Sequence, residues 1–451
     1  MTSNPQQFKR CLNVPDLVFL GIGAVIGSGI FIVTGIATAT KAGPAVMISF
    51  IIAGMASLLT ALAYAELSSS IDGCGGAYNY AYQCFGKFTA WIIGWILLFE
   101  YGIGAALLSI GWSGYMTNIL TNIGIPLSPA LLHAPNEGGI INLPAIFVVL
   151  LLTSILLLGT KKSARFNALL VTLKLATIGL FVGVASFHVN PHNWTPFLPF
   201  GWLGVMQGAA LTFNAFIGFD VIVLASEETN NPKRNIPLAI LLAFVICVCI
   251  YIAVAALLTG IVPYYTLNNA SPVSSALLSL HLPWVASIIG AGAIISITTV
   301  LLAFLYGLTR ISFAMSRDGL LPTLFSSLST KKGVPTKNLF ISAIIIALLA
   351  GFVPLNSAVK LVNIGTLMAF VLVCACVITL RIKQPHRPRP FKAPLIISVL
   401  GILFCSYLMI NLPLDTWIRF LSWLALGIAI YYIRLYKTAT SVTPMTADIN
   451  A

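Results

Sequence analysis

The stretch LGIGAVIGSGIFIVTG (20–35) decides how this chain is read. It lies inside an apolar run long enough to cross a bilayer, which takes about 20 apolar residues. Yet Gly27-Ser28-Gly29 falls about 13 residues into that run, near mid-membrane at about 1.5 Å per residue. A second stretch, LTFNAFIGFDVIVLASEE (211–228), has a matching interruption from Asn214 to Gly218, at a similar depth from the other side. Unwound backbone at that depth is tolerated only where it faces protein or a cavity. Paired interruptions in two halves of a chain point to a transporter built from inverted repeats. Glycines placed for close helix packing are the bland alternative, and the matching positions favour breaks.

Outward from these stretches the chain is apolar throughout. Of its 451 residues 59% are hydrophobic and 8% charged, too little charge to cover a water-soluble surface. Twelve runs are marked as spans: 14–40, 44–70, 88–118, 142–160, 164–187, 201–228, 237–262, 285–316, 337–353, 356–381, 393–412 and 415–436. They leave no room for a soluble domain, and the first run is too long for a cleavable signal peptide. The fold class is an all-α integral membrane protein of about 12 transmembrane helices.

The formal charge of +13 is a topology signal rather than a nucleic-acid footprint. With both termini cytoplasmic, 20 of the 24 Lys and Arg fall on the cytoplasmic side, and only Lys41, Lys360 and Arg419 fall on the outer side or its rim. That is the positive-inside bias, with attraction to anionic lipid as its corollary. The remaining base, Lys174, sits inside a span. None of the eight cysteines lies in an outer loop, so a disulfide framework is not expected. Cys247/Cys249 and Cys374/Cys376 do not face each other on a helix and read as packing residues. The outer loops have room only for small helices or turns. Residues 71–87 carry three glycines followed by Tyr78, Tyr80, Tyr82 and Phe85, which suits an amphipathic helix at the interface.

Six segments together resemble the amino acid–polyamine–organocation superfamily, and within it the bacterial cationic-amino-acid-transporter-like family. They are GIGAVIGSGIF (21–31), GGAYNYAY (75–82), GWILLFEY with WSGY (94–101, 112–115), SARFNALLVTLKLA (163–176), FIGFDVIVLASEETNNPKRNIP (216–237) and TRISFAMSRDGLLP (309–322). The last four spans are similar in hydropathy alone. The resemblance implies a LeuT-like five-plus-five inverted repeat with helices 1 and 6 broken, and carriage of amino acids by alternating access. The first repeat would be 14–187, with the interfacial helix near 71–87, and the second 201–381. Two additional helices (393–436) follow, between a cytoplasmic segment 1–13 and a cytoplasmic tail 437–451.

A broken helix leaves free N–H groups at the start of its second half, and with the helix dipole these attract an anion. The N–H groups of Ser28, Gly29 and Ile30 are therefore expected to hold a substrate carboxylate, with Gly27 and Gly29 bare so that the ligand can approach. Carbonyls near Val25 and Ile26 would accept from its ammonium, and unwound carbonyls of Phe213, Asn214 and Ile217 would complete the cage. Where resembling carriers often have an aromatic lid, this chain has Asn214, so Phe213 or Phe216 is expected to take over that part of the gate.

Lys174 lies about 14 Å from the basic edge at Arg165, too deep to snorkel. A charged group at that depth is costly and marks function. Desolvation disfavours its charged form and makes its proton exchangeable. In resembling carriers a lysine here replaces a sodium ion, which implies contacts with Gly23 and Ile26 and with Thr298 or Thr299. Its ammonium would tie two helices together and its deprotonation release them. A structural ion pair with Glu100 is the alternative. Glu100 itself reads equally as a second proton site or a buried structural carboxyl, and Asp220 as a cap on the second half-helix. Glu227, Glu228, Lys233, Arg234, Arg317 and Asp318 form either an inner gate or a solvated loop.

The leading expectation is a proton-coupled symporter bringing L-amino acids into the cell, in the cell (inner) membrane, as a monomer with a small accessory subunit left open. No cofactor, metal or catalytic residue is expected; the proton gradient drives it. An exchanger without proton coupling and a non-transporting sensor are the rivals, and a membrane-embedded enzyme finds no HExxH or GxSxG motif to support it. The sequence does not specify the substrate side chain; with Glu100 the one acidic partner at depth, neutral or broad specificity is favoured over cationic.

Overall fold

In a hydrocarbon medium every backbone N–H and C=O must be satisfied within the chain, so apolar runs fold as helices. The structure, a computed structural model, describes residues 8–440 apart from 123, 126–127, 136–137, 270, 330–332, 354–363 and 411–413. Residues 1–7, the tail beyond 440, the start of the tenth run at 356–363, and Lys331, Lys332 and Lys360 lie outside the described residues. Among the described residues there is no β-strand; an isolated parallel bridge joins Leu12 to Thr229.

The helices in chain order are α1 (Val14–Val25), α2 (Thr34–Ala37), α3 (Val46–Ser70), α4 (Ala77–Phe85), α5 (Lys87–Asn122), α6 (Leu143–Leu156), α7 (Thr160–Ser186) and α8 (Gly201–Phe213). They continue as α9 (Val221–Leu224), α10 (Pro232–Ile261), α11 (Pro272–Ser279), α12 (Pro283–Arg317), α13 (Thr336–Phe352), α14 (Ile364–Lys383), α15 (Leu395–Ile410) and α16 (Leu414–Thr440). Among the described residues, eight helical stretches are long and apolar enough to cross a membrane, and α1, α6, α13 and α15 are shorter apolar helices. The chain is a multi-pass membrane protein.

The first apolar run is not one helix. Asn13 and Asp16 form a capping box with Pro15 in the first turn of α1, and α1 stops at Ile26, whose backbone is extended at φ −77° and ψ 102°. Helix resumes at Gly29 and continues through α2 to residue 42 in turns of varying width. The sixth run breaks in the same way. It ends α8, takes one tight turn at Asn214–Phe216, goes extended at Ile217 (φ −67°, ψ 140°) and restarts as the four-residue α9. Gly218 between them has φ +118°, a conformation that needs glycine.

These broken spans sit at the centre. α1 packs against α7, α10 and α12; α3 packs against α10 and α8, and α5 against α12. α4 is less an interfacial helix than the sequence suggests. Its residues Tyr78, Asn79, Tyr80 and Ala81 are buried, Tyr80 packs edge-on against Tyr64, and mainly its end at Phe85 is exposed. The aromatic pattern marks packing against α5 and α14 rather than contact with lipid.

A Cβ at Gly218 would stand 2.8 Å from the carbonyl oxygen of Ala24. Gly218→Ala therefore combines a strained backbone with a clash, a cost on the order of 1–3 kcal/mol. The expected outcome is a lower thermal unfolding midpoint in detergent; an unchanged midpoint would show that this turn has room for a side chain.

Candidate functional site

α7 presents one protein-facing stripe: Ser163, Asn167, Val171, Lys174, Ile178, Phe181 and Ala185 are buried at three- and four-residue spacing, while Leu169 and Leu173 are exposed. Lys174 occupies the middle of that stripe with 0% exposure. Its ammonium donates to the carbonyls of Ile22 (3.0 Å), Gly23 (3.2 Å) and Ile26 (2.7 Å), and to Thr299 Oγ1 (2.9 Å). The last carbonyls of a helix have no partner within it, and a cation there is favoured by the dipole. Lys174 therefore closes the C-terminal end of α1 and joins α7, α1 and α12.

Thr299 lies 3.0 Å from the Gly23 carbonyl as well, whereas Thr298 accepts from Trp112 Nε1 at 3.0 Å. Of the two threonines anticipated beside the lysine, only Thr299 is there: Thr298 points one helical step away, toward α5. The alternative ion pair with Glu100 does not form. Glu100 lies in α5 and accepts from the backbone N–H of Thr366 at 2.8 Å and from its hydroxyl.

The two breaks meet across a cavity of about 200 Å³. The first span contributes Ala24, Val25, Gly27, Ser28, Gly29 and Val33; the sixth contributes Asn214, Ala215 and Ile217. α5 adds Glu100, Gly104, Leu107 and Leu108, and α12 adds Val300 and Phe304. Gly27 and Gly29 are bare for helix packing as well as for access. A Cβ would stand 2.7 Å from Val300 Cγ2 at the first and 2.5 Å from Ala215 Cβ at the second.

Several anticipated ligand groups have other partners or lie outside the cavity wall. The Val25 carbonyl lies 3.0 Å from the Tyr251 hydroxyl, and the Ile26 carbonyl is taken by Lys174. Ile30 is buried outside the cavity wall. Neither Phe213 nor Phe216 reaches the cavity: Phe213 packs against Phe404, and Phe216 against Phe50, Phe244 and Tyr251. The aromatic wall is Phe304 of α12, tilted on Tyr101 with ring centroids 5.0 Å apart. Asp220 precedes α9 but makes no capping bond; its carboxylate accepts from the Tyr101 hydroxyl at 2.8 Å.

The basic end carries a set of ion pairs and hydrogen bonds. Glu227 pairs with Arg317 at 2.6 Å and accepts from the Cys74 N–H at 2.9 Å. Asp318 is held by the Tyr78 hydroxyl (2.8 Å) rather than by a second arginine. The buried acid is Glu228, paired with Arg310 at 2.6 Å and also accepting from Tyr306 and Thr160. Arg310 lies over the rings of Tyr306 (4.0 Å) and Phe8 (5.3 Å). Backbone bonds from Cys11 and Leu12 to the Glu228 carbonyl, and from Asn230 to Leu12, tie the entry of α1 to the exit of the sixth span.

Sequence reasoning missed Tyr251, Tyr101, Phe304 and the Arg310–Tyr306 pair. A tyrosine deep in an apolar run signals a hydroxyl that needs a partner, and Tyr101 and Tyr251 both fit that rule. A split between neighbouring threonines tests the geometry. Thr299→Val removes a hydroxyl from the buried ammonium, a loss of about 1–3 kcal/mol, so it should lower the thermal midpoint more than Thr298→Val does. Equal losses would contradict the assignment.

Residues 12–431 match the family model described as amino acid permease. The chain is similar to the branched-chain amino acid permease BcaP of Bacillus subtilis, 46% identical over 96% of this chain and 94% of the relative. It is similar to the methylthioribose transporter of the same organism, 44% identical with the same coverages. Cationic amino acid transporter 4 of Homo sapiens is 37% identical over 84% of this chain and 61% of the relative. On this evidence the chain belongs to the amino acid permease family of the amino acid–polyamine–organocation superfamily, and it is a membrane transporter rather than an enzyme.

Proposed function

We propose that this chain is a proton-coupled symporter for neutral amino acids, working by alternating access across a twelve-helix, five-plus-five inverted repeat in the cell membrane with both termini cytoplasmic. The observation that carries the reading is the Lys174 ammonium, bound to three carbonyls at the α1 break and to Thr299 of α12, next to a cavity shared with the second break. The bare N–H groups at Gly27, Ser28 and Gly29 suit a carboxylate. Asn214 and unwound carbonyls of the sixth span are left for the ammonium, because Val25 and Ile26 have partners of their own.

The walls favour a neutral side chain. Val33, Leu107, Leu108, Val300 and Phe304 are apolar, and the one acid among the lining residues, Glu100, is turned to Thr366. At about 200 Å³ the cavity is smaller than the roughly 300–1,000 Å³ of drug-sized sites. A branched-chain amino acid, the substrate in the name of one relative, suits that space. Phe304 takes the place of the missing sixth-span lid. Protonated, Lys174 ties α1 to α7 and α12 in the geometry that holds substrate; as the neutral amine it gives up its charge-assisted bonds and releases that tie.

A second reading is carriage of a neutral thiosugar, favoured by the methylthioribose transporter at 44% identity. An exchanger that needs no proton, or a sensor that does not transport, would use the Lys174 contacts for structure alone and not its change of charge. Purified protein in proteoliposomes separates these. Labelled leucine should accumulate against its gradient under an inward-acid pH gradient, and Lys174→Met should abolish that accumulation while a folded protein remains. Retained pH-driven accumulation in Lys174→Met removes the proton role. Uptake that needs pre-loaded amino acid identifies an exchanger, and inhibition by methylthioribose but not by leucine identifies the thiosugar.

A further inference from the structure

A second and larger cavity, about 430 Å³, lies behind α5. At 3.6 residues per turn, Glu100, Gly104 and Leu107 face the transport cavity, while Trp95, Leu98 and Gly102 fall on the opposite face of the helix and line the second one. Its far wall is α13, with Ile345 and Leu349, and Trp423 of α16 closes one side. The polar groups on these walls are already bonded. The indoles of Trp95 and Trp423 each donate to the other residue's carbonyl (3.0 and 3.2 Å), and the hydroxyls of Ser312 and Ser342 donate within their own segment or to Asn338. Nothing here recognises a polar solute.

The space is far above the roughly 150 Å³ that suffices to take up benzene in an apolar protein interior. Ile345, 52% exposed, opens it sideways to the hydrocarbon. The slot runs along α5 from Trp95 to Ile103, about 12 Å, and reaches the basic end at Leu321 and Phe325. At that mouth the Arg434 guanidinium donates to the carbonyl of Leu320. An apolar slot open to lipid with a cation at its interfacial end matches one kind of molecule. We propose that this cavity holds an acyl chain of an anionic phospholipid from the leaflet at the basic end, with its headgroup against Arg434. The chain then braces the back of the helix whose front carries Glu100 and, through Tyr101, holds Asp220.

Gly102 makes the idea testable, because a Cβ built there meets nothing within 4 Å. Gly102→Leu sends a side chain into the slot from a Cβ that meets no neighbour, and it also favours the helix. Native mass spectrometry of the full chain, delipidated and then offered phosphatidylglycerol or phosphatidylcholine, should show one phosphatidylglycerol retained by the wild type. Gly102→Leu should lower that retention about tenfold or more, since several methylenes lose their place. Arg434→Ala should cut the preference for phosphatidylglycerol about fivefold while leaving a lipid bound. Phosphatidylglycerol with a photoreactive group in its acyl chain, in vesicles with the unaltered protein, should crosslink to 95–103 and 342–349. That arm stands even if a variant does not fold. Crosslinks elsewhere, undiminished retention in Gly102→Leu, a sterol-like molecule in place of the phospholipid, or a second copy of this chain protecting these residues would each overturn the proposal.

Discussion

The carbonyl end of α1 stops in the middle of a hydrocarbon layer, and the rest of the structure depends on how it is satisfied. Water cannot reach it in bulk, and an unpaired carbonyl there costs several kcal/mol. One ammonium answers for Ile22, Gly23 and Ile26 together. A hydroxyl has a single proton to donate; a lysine brings three donors and a charge that complements the negative end of the helix. The desolvation of that charge is offset only if all its donors are used; three carbonyls suffice for three protons, and Thr299 Oγ1 at 2.9 Å adds a fourth acceptor that ties in α12. Break and lysine complement each other: Ile22 also accepts from the Ile26 N–H and Gly23 from Thr299, while the Ile26 carbonyl is held by the lysine.

The second break is tied to the first just as closely. Tyr251 places its hydroxyl between the Val25 carbonyl (3.0 Å) and the Ala215 carbonyl (2.8 Å), one from each broken span. Gly29 sits against Ala215, and Gly218 against the Ala24 carbonyl, so closely that a methyl group would not fit. Packed elements of this kind do not deform gradually. The first and sixth spans are therefore packed as one unit at their breaks, and the backbone bonds between Cys11–Leu12 and Glu228–Asn230 extend that tie to the basic end.

Much of this was legible in residue order. Glycine and serine in the middle of an apolar run announced the first break, and Lys174 announced itself because nothing in lipid explains a lysine at that depth. The register of a helix face is harder to read. Thr298 and Thr299 are neighbours in sequence, but a helix turns about 100° between them, and only the packing of α12 against α5 decides which one meets the lysine. The aromatic lid failed for a similar reason. Phe213 and Phe216 flank Asn214, yet the tight turn at 214–216 directs them into protein and leaves the wall to Phe304, far away in sequence. The charge cluster was seen as a cluster, while its buried member, Glu228 with Arg310, is identified only by three-dimensional enclosure.

The proposed coupling needs no more than these contacts. Ile26 accepts from Lys174, and the next residue, Gly27, lines the cavity. A change of charge on the lysine is thus felt one peptide away from the proposed substrate cavity. Thermodynamic linkage makes such an effect mutual: if the charged lysine strengthens substrate binding, bound substrate strengthens the lysine's hold on its proton by the same factor. A carrier in which each ligand raises the affinity for the other populates mainly the empty and the doubly loaded states. If only those two states can reorient, the flow of one species follows from the gradient of the other, without any contact between proton and substrate.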